Sequence, residues 1–120
     1  MVLRYQGVEP ILVNRRLGLT PLYLPECANS VNLSITDPLG NILNYSSRIN
    51  IGCPKPEDFV ILNNGDEISS TQRIDEDFHF DKAGIYTIQA TYNNVSNHPD
   101  GKEAWKGTID SNIITIEITP

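Results

Sequence analysis

A chain of 120 residues with a formal net charge of -6, 39% hydrophobic and 20% charged residues has room for one core, and so reads as one domain spanning 1–120. Its nine Lys and Arg residues are scattered rather than striped, which removes the cationic footprint that nucleic acid requires. No window approaches the roughly 20 apolar residues of a membrane-spanning helix, and the first residues lack the apolar run of a signal peptide.

In chain order, Glu9-Pro10-Ile11-Leu12-Val13 reads as a strand, whereas 14–24 follow neither the two-residue nor the 3.6-residue period. Cys27 and Cys53 fall in proline-bearing loops. A bridge between them would close a loop of about 25 residues and stabilise the fold by about 3 to 4 kcal/mol. The even cysteine count speaks for the bridge and the lack of a visible export signal speaks against it, so both redox states stay open. Zinc is disfavoured, because there is no Cys-x-x-Cys and neither His79 nor His98 has finger spacing.

Val31, Leu33 and Ile35 alternate with Asn32, Ser34 and Thr36, the pattern of a half-buried strand. Asp37-Pro38-Leu39-Gly40 supplies a turn, and 41–45 is expected to return as a second strand. A short strand over 58–62 ends at Asn63-Asn64-Gly65-Asp66, a reversal signal leading to a strand over 68–74. Lys82-Ala83-Gly84 then turns the chain into 85–92, where Tyr86, Ile88, Ala90 and Tyr92 share a face and are core candidates. The last strand, 112–118, places Ile114, Ile116 and Ile118 together on one face.

No window holds apolar helical spacing for three turns, so the reading is all-β: a two-sheet antiparallel sandwich of about seven or eight strands with Greek-key connections, a closed barrel being the alternative. The stretches Glu57-Asp58-Phe59-Val60-Ile61-Leu62, Phe80 to Gly84 leading into Tyr86-Thr87-Ile88, and Ala104-Trp105-Lys106-Gly107 resemble the second half of immunoglobulin-like domains of bacterial surface and exported proteins. The resemblance covers roughly the last 65 residues. The Gly84-Ile85-Tyr86 step resembles the tyrosine corner of such domains, while Ile88 stands where an antibody domain has its second cysteine. That likeness implies a spacer, adhesive or accessory role at the cell surface or outside the cell, within a longer chain; the cytoplasm is also compatible with the sequence.

Catalysis is not expected. There is no Gly-x-Ser-x-Gly elbow, His-Glu-x-x-His motif or phosphate loop, and Asp75, Glu76 and Asp77 lie in a polar stretch with nothing to raise a carboxyl pKa. No cofactor is expected either. The one competing idea is calcium at Asp75, Asp77 and Asp81 with His79, which would share one face of an extended strand while Phe78 and Phe80 anchor the other.

Residues 93–106 form a long polar connection carrying Asn94, Asn97, His98, Asp100, Lys102 and the single tryptophan, Trp105. It is the candidate loop for a protein or carbohydrate ligand, because an indole beside amides can stack on a sugar or anchor a partner. The bland alternative has Trp105 covering the core. A second functional reading is a loop-presenting proteinase inhibitor using 93–106 together with 63–67. Asn32, Asn44 and Asn94 are formal glycosylation acceptors, relevant in a eukaryotic secreted protein. A monomer is expected, with edge pairing open to it if 112–118 is an exposed edge strand.

Overall fold

Eleven residues, Gly84–Asn94, carry the alternation furthest, and a strand of that length can serve partners along both edges. The computed structural model describes residues 1–20, 27, 30–45, 52–95 and 97–120. Its strands are β1 (Val2–Arg4), β2 (Ile11–Asn14), β3 (Val31–Thr36), β4 (Phe59–Leu62), β5 (Glu67–Ser69), β6 (Gly84–Asn94), β7 (Gly107–Asp110) and β8 (Ile114–Ile118). Every strand pair is antiparallel. The chain is all-β, with one 3-10 turn at Pro56–Asp58 and one helical turn, α1 (Ile74–Asp77), among the described residues.

β6 organises the larger sheet. β3 lies along one edge, from Val31 opposite Tyr92 to Thr36 opposite Thr87. β7 and β8 share the other edge end to end. Thr91 pairs with Asp110 and Ile88 with Ile114, so three steps along β6 match four along its partner. That extra residue is a bulge. Ser111 fills it by bonding Ala90 twice, its N–H to the Ala90 carbonyl at 2.8 Å and its Oγ accepting the Ala90 N–H at 2.9 Å. The bulge keeps Ile114, Ile116 and Ile118 on the face of Ile88 and Tyr86, as their alternation predicts.

The remaining strands pair as β1 with β5 and β2 with β4. The Asn63–Asp66 turn does form, closed by Asp66 N–H on the Asn63 carbonyl at 2.9 Å. It passes the chain from β4, beside β2, to β5, beside β1, instead of folding one strand onto the next. Tyr5 fixes this geometry by donating to Asp66 and accepting from Gly65.

Two strand expectations are corrected. The segment 68–74 is a strand only to Ser69; thereafter Ser70 and Gln72 both donate their side chains to the Leu17 carbonyl, and a helical turn begins at Ile74. The return strand over 41–45 shrinks to a Thr36–Ile42 bridge. There the Asp37 carboxylate captures the Asn41 N–H at 2.9 Å, and Tyr45 turns inward to meet Phe78 edge-on at 5.6 Å. β1 and β7 have no counterpart among the sequence expectations. Part of the undeciphered 14–24 stretch, residues 21–24, lies outside the described residues.

Two apolar clusters fill the interior. In one, Val13 of β2 and Leu62 of β4 close against Val31 of β3 and Tyr92 of β6, with Leu17 and Leu19. In the other, Ile35, Tyr86 and Ile88 enclose Phe78. Each fully buried aliphatic or aromatic side chain contributes about 1.5 to 3 kcal/mol. Tyr86 and Ile35 have no exposed surface.

Both β6 tyrosines satisfy their hydroxyls on backbone. Tyr86 donates to the Lys82 carbonyl at 2.8 Å and accepts the Lys82 N–H at 3.1 Å, so the expected corner geometry forms. Gly84, at φ 132°, lets the Pro38 ring approach where a Cβ would sit 2.7 Å from it.

Candidate functional site

The 95–106 loop is held down by amides that enter the core. Asn94, the last residue of β6, is 2% exposed and accepts from the Asn14 amide at 3.2 Å. Its own amide donates to the Trp105 carbonyl at 2.8 Å. Asn14, fully buried, accepts Arg16 N–H on its side chain at 3.0 Å and the Tyr92 hydroxyl on its carbonyl at 2.6 Å. Polar groups buried this deeply persist only when paired, and here each amide has a partner. Burial pushes the Tyr92 phenol up to about 12.

Trp105 belongs to the framework. Its backbone N–H donates to the Leu12 carbonyl at 2.7 Å, and its ring stacks on Tyr92 at 5.9 Å. Gly107, at φ 151°, leaves room beneath the indole: a Cβ there would lie 3.1 Å from the ring. The face toward Tyr92 is therefore covered, while the half-buried indole still lines an open pocket of about 300 Å³ with Leu3, Tyr5, Ile11 and Ile109.

The loop tip is a tight turn. Gly101 donates to the His98 carbonyl at 2.8 Å, and His98 Nδ1 accepts the Asp100 N–H at 3.0 Å. The His98 ring lies against Phe59 at 5.3 Å, with 10% of the side chain exposed. Asn97 Oδ1 accepts the Ala104 N–H at 3.3 Å across the loop. Asn94, Asn97, His98 and Trp105 thus build the loop, while Asp100 and Lys102 remain exposed on it.

Folded in this way, the loop roofs an open groove of about 810 Å³ over β2 and β4. Leu12, Phe59 and Ile61 form its apolar floor, and His98, Lys102 and Glu103 its rim. Sequence reasoning missed the floor. Its signal was β4 itself, Phe59-Val60-Ile61-Leu62, which is apolar on both faces although Ile61 is 60% exposed.

The calcium geometry does not form. Residues 74–77 are helical, so Asp75 and Asp77 do not stand on the face of an extended strand with His79 and Asp81. Asp75 is paired with Arg73 at 2.9 Å, and that guanidinium holds its carboxyl below the usual range. Among the described residues no group of three or more His, Cys, Asp or Glu side chains could hold a metal ion. Phe78 and Phe80 do anchor the segment to the second cluster.

Cys27 and Cys53 form a disulfide with Cα atoms 5.1 Å apart. Gly52, next to Cys53, accepts from the Arg16 guanidinium at 2.9 Å, which links the bridge to the chain leaving Asn14. Of the glycosylation motifs, Asn32 has its amide committed to the Thr20 carbonyl and Asn94 is buried; Ser46 and Ser96 lie outside the described residues. Among the described residues no helix is long and apolar enough to cross a membrane. Comparison with family models, with curated proteins and with solved structures finds no match for this chain.

Proposed function

We propose that this chain is a non-catalytic interaction domain of an exported or cell-surface protein, built as an immunoglobulin-like Greek-key sandwich that presents the 95–106 groove to a protein partner. The observation that carries this reading is the pre-formed groove. Its loop is fixed by the Asn14–Asn94–Trp105 chain of hydrogen bonds rather than left to order on contact. Preorganisation of that kind reduces the entropy lost on binding.

An apolar floor with Lys102 and Glu103 at the rim suits a peptide segment that carries an apolar side chain between charges. A peptide is favoured over a sugar because the groove floor is aliphatic apart from Phe59, whose ring already meets His98. The disulfide supports an oxidising location. The Tyr86–Lys82 corner and the meeting of β2 and β4 with β3 and β6 across one core support the sandwich reading.

A displayed random-peptide library and a glycan array, each probed with the intact protein, test the proposal. Enrichment of peptides that is lost in Ile61→Ser and in Lys102→Glu, with no glycan signal, is the expected result. Enrichment indifferent to both substitutions, or no enrichment, overturns the groove as a binding site. Inhibition of a protease panel that Lys102→Glu abolishes would instead favour the inhibitor reading.

A further inference from the structure

We propose that β8 pairs with β8 of a second copy of this chain, antiparallel and centred on Ile116, so that the larger sheet runs continuously through a twofold axis. Among the described residues β8 bonds only to β6, and its other edge is unpaired. Edge strands are normally protected by an internal Lys, a Pro or a bulge. Ile114-Thr115-Ile116-Glu117-Ile118 contains neither Lys nor Pro. The bulge at 111–113 and Pro120 bracket the strand instead, which leaves a defined five-residue template.

Self-pairing follows from the register. Residues directly opposite each other in an antiparallel ladder project to the same face. Centred on Ile116, the ladder sets Ile114 against Ile118 of the second copy on one face, and Thr115 against Glu117 on the other. Shifting the centre to Glu117 would oppose two carboxylates, and shifting it to Thr115 would leave Ile118 without a partner. A one-residue slip of register would place Glu117 among the isoleucines. The Ile116-centred ladder is therefore the self-complementary one. It would also shield Ile114, which is 50% exposed although it lies on the core face of the sheet.

Thr115 and Glu117 are exposed and touch neither cluster, so substitutions at Thr115 test the interface without disturbing the core. Light scattering behind size exclusion, across a wide concentration series, should show the 13.4 kDa chain approaching twice its mass. Thr115→Glu sets two carboxylates opposite each other twice and should raise the dissociation constant about tenfold, whereas Thr115→Lys should leave it unchanged or lower it. Circular dichroism confirms folding of both variants. A chain that stays monomeric at every concentration overturns the proposal, and so does an equal response to Glu and Lys.

Discussion

Both tyrosines of β6 point into the core and satisfy their hydroxyls on a carbonyl, but they hold very different things together. Tyr86 bonds Lys82, four residues back along the chain. Tyr92 bonds Asn14, 78 residues away, and ties β6 to β2. The first end of the molecule is closed mainly by local turns, at Asp37 and at the Lys82 corner, which the Lys82–Asp37 ion pair, 45 residues apart in sequence, and the neighbouring Pro38–Gly84 contact then join. The second is closed by long-range tethers: Tyr92, the Asn14–Asn94 pair, the Trp105–Leu12 bond and the disulfide. The candidate groove lies at the second end, so the loop that roofs it depends on contacts made only once the whole chain is in place.

The disulfide should show the largest effect. Its cysteines are 26 residues apart in sequence, and chain entropy predicts a loss of about 3 to 4 kcal/mol when the bridge is removed. Cys27→Ser with Cys53→Ser, followed by denaturant unfolding, measures it. Mass spectrometry of the unfolded, unreduced protein should find both thiols blocked. Two free thiols would remove the bridge from the long-range end and weaken the exported reading with it.

Next comes Asn94→Ala. It leaves the buried Asn14 amide without its acceptor and the Trp105 carbonyl without its donor, and should cost about 2 to 3 kcal/mol. Hydrogen exchange should rise across 97–103 and stay protected over 84–88. Uniform loss of protection would show that the two ends are not separable.

The same division explains which features could be read from the sequence. The local end was accessible: the Lys82-Ala83-Gly84 turn with Tyr86 behind it announced the corner, and alternation placed Tyr86, Ile88, Ala90 and, at the far end, Tyr92 on one core face, where all but the half-buried Ala90 are buried. The long-range end was not. Asn94 reads as a polar loop residue because nothing nearby in sequence reveals Asn14, and Trp105 reads as core cover or as a ligand platform until its stacking on Tyr92 is seen. β1 spans only three residues and takes its order from pairing with β5, so local pattern had little to mark it. Residues 74–77 failed in the opposite way: their polar alternation fits a strand, but tertiary packing of Ile74 and Phe78 settles a helical turn.

Replacing each tyrosine hydroxyl in turn sharpens the contrast. Tyr92→Phe and Tyr86→Phe should each destabilise by about 1 to 2 kcal/mol. Combined with Asn94→Ala, Tyr92→Phe should be non-additive by more than about 0.5 kcal/mol because both act through Asn14, whereas Tyr86→Phe should add. Tyr92 also titrates. Its pKa is raised to about 12 by burial, so its contribution is complete below the ordinary value of about 10 and is lost as pH rises toward 12. Tyr92→Phe should flatten that alkaline limb, and equal additivity for both tyrosines would refute the division.

The smallest effect is expected at the local end, where Asp37 provides a charged link to Lys82. Its carboxylate accepts the Asn41 and Leu39 N–H groups, each at 2.9 Å, and the Lys82 ammonium at 3.3 Å. The Asn41 N–H, then that of Leu39 and the Lys82 charge, hold its pKa below the ordinary value against the opposing effect of burial. A depressed carboxyl pKa stabilises the fold fully above the unfolded-state value of about 3.9 and stops doing so as pH falls through the folded-state value. Acid unfolding of the wild type should therefore steepen below pH of about 4, and Asp37→Asn should flatten that limb while leaving the alkaline limb of Tyr92 intact. Were Asp37→Asn to unfold with the wild-type acid profile, the turn would be held by its backbone alone, and the local end would owe nothing to charge.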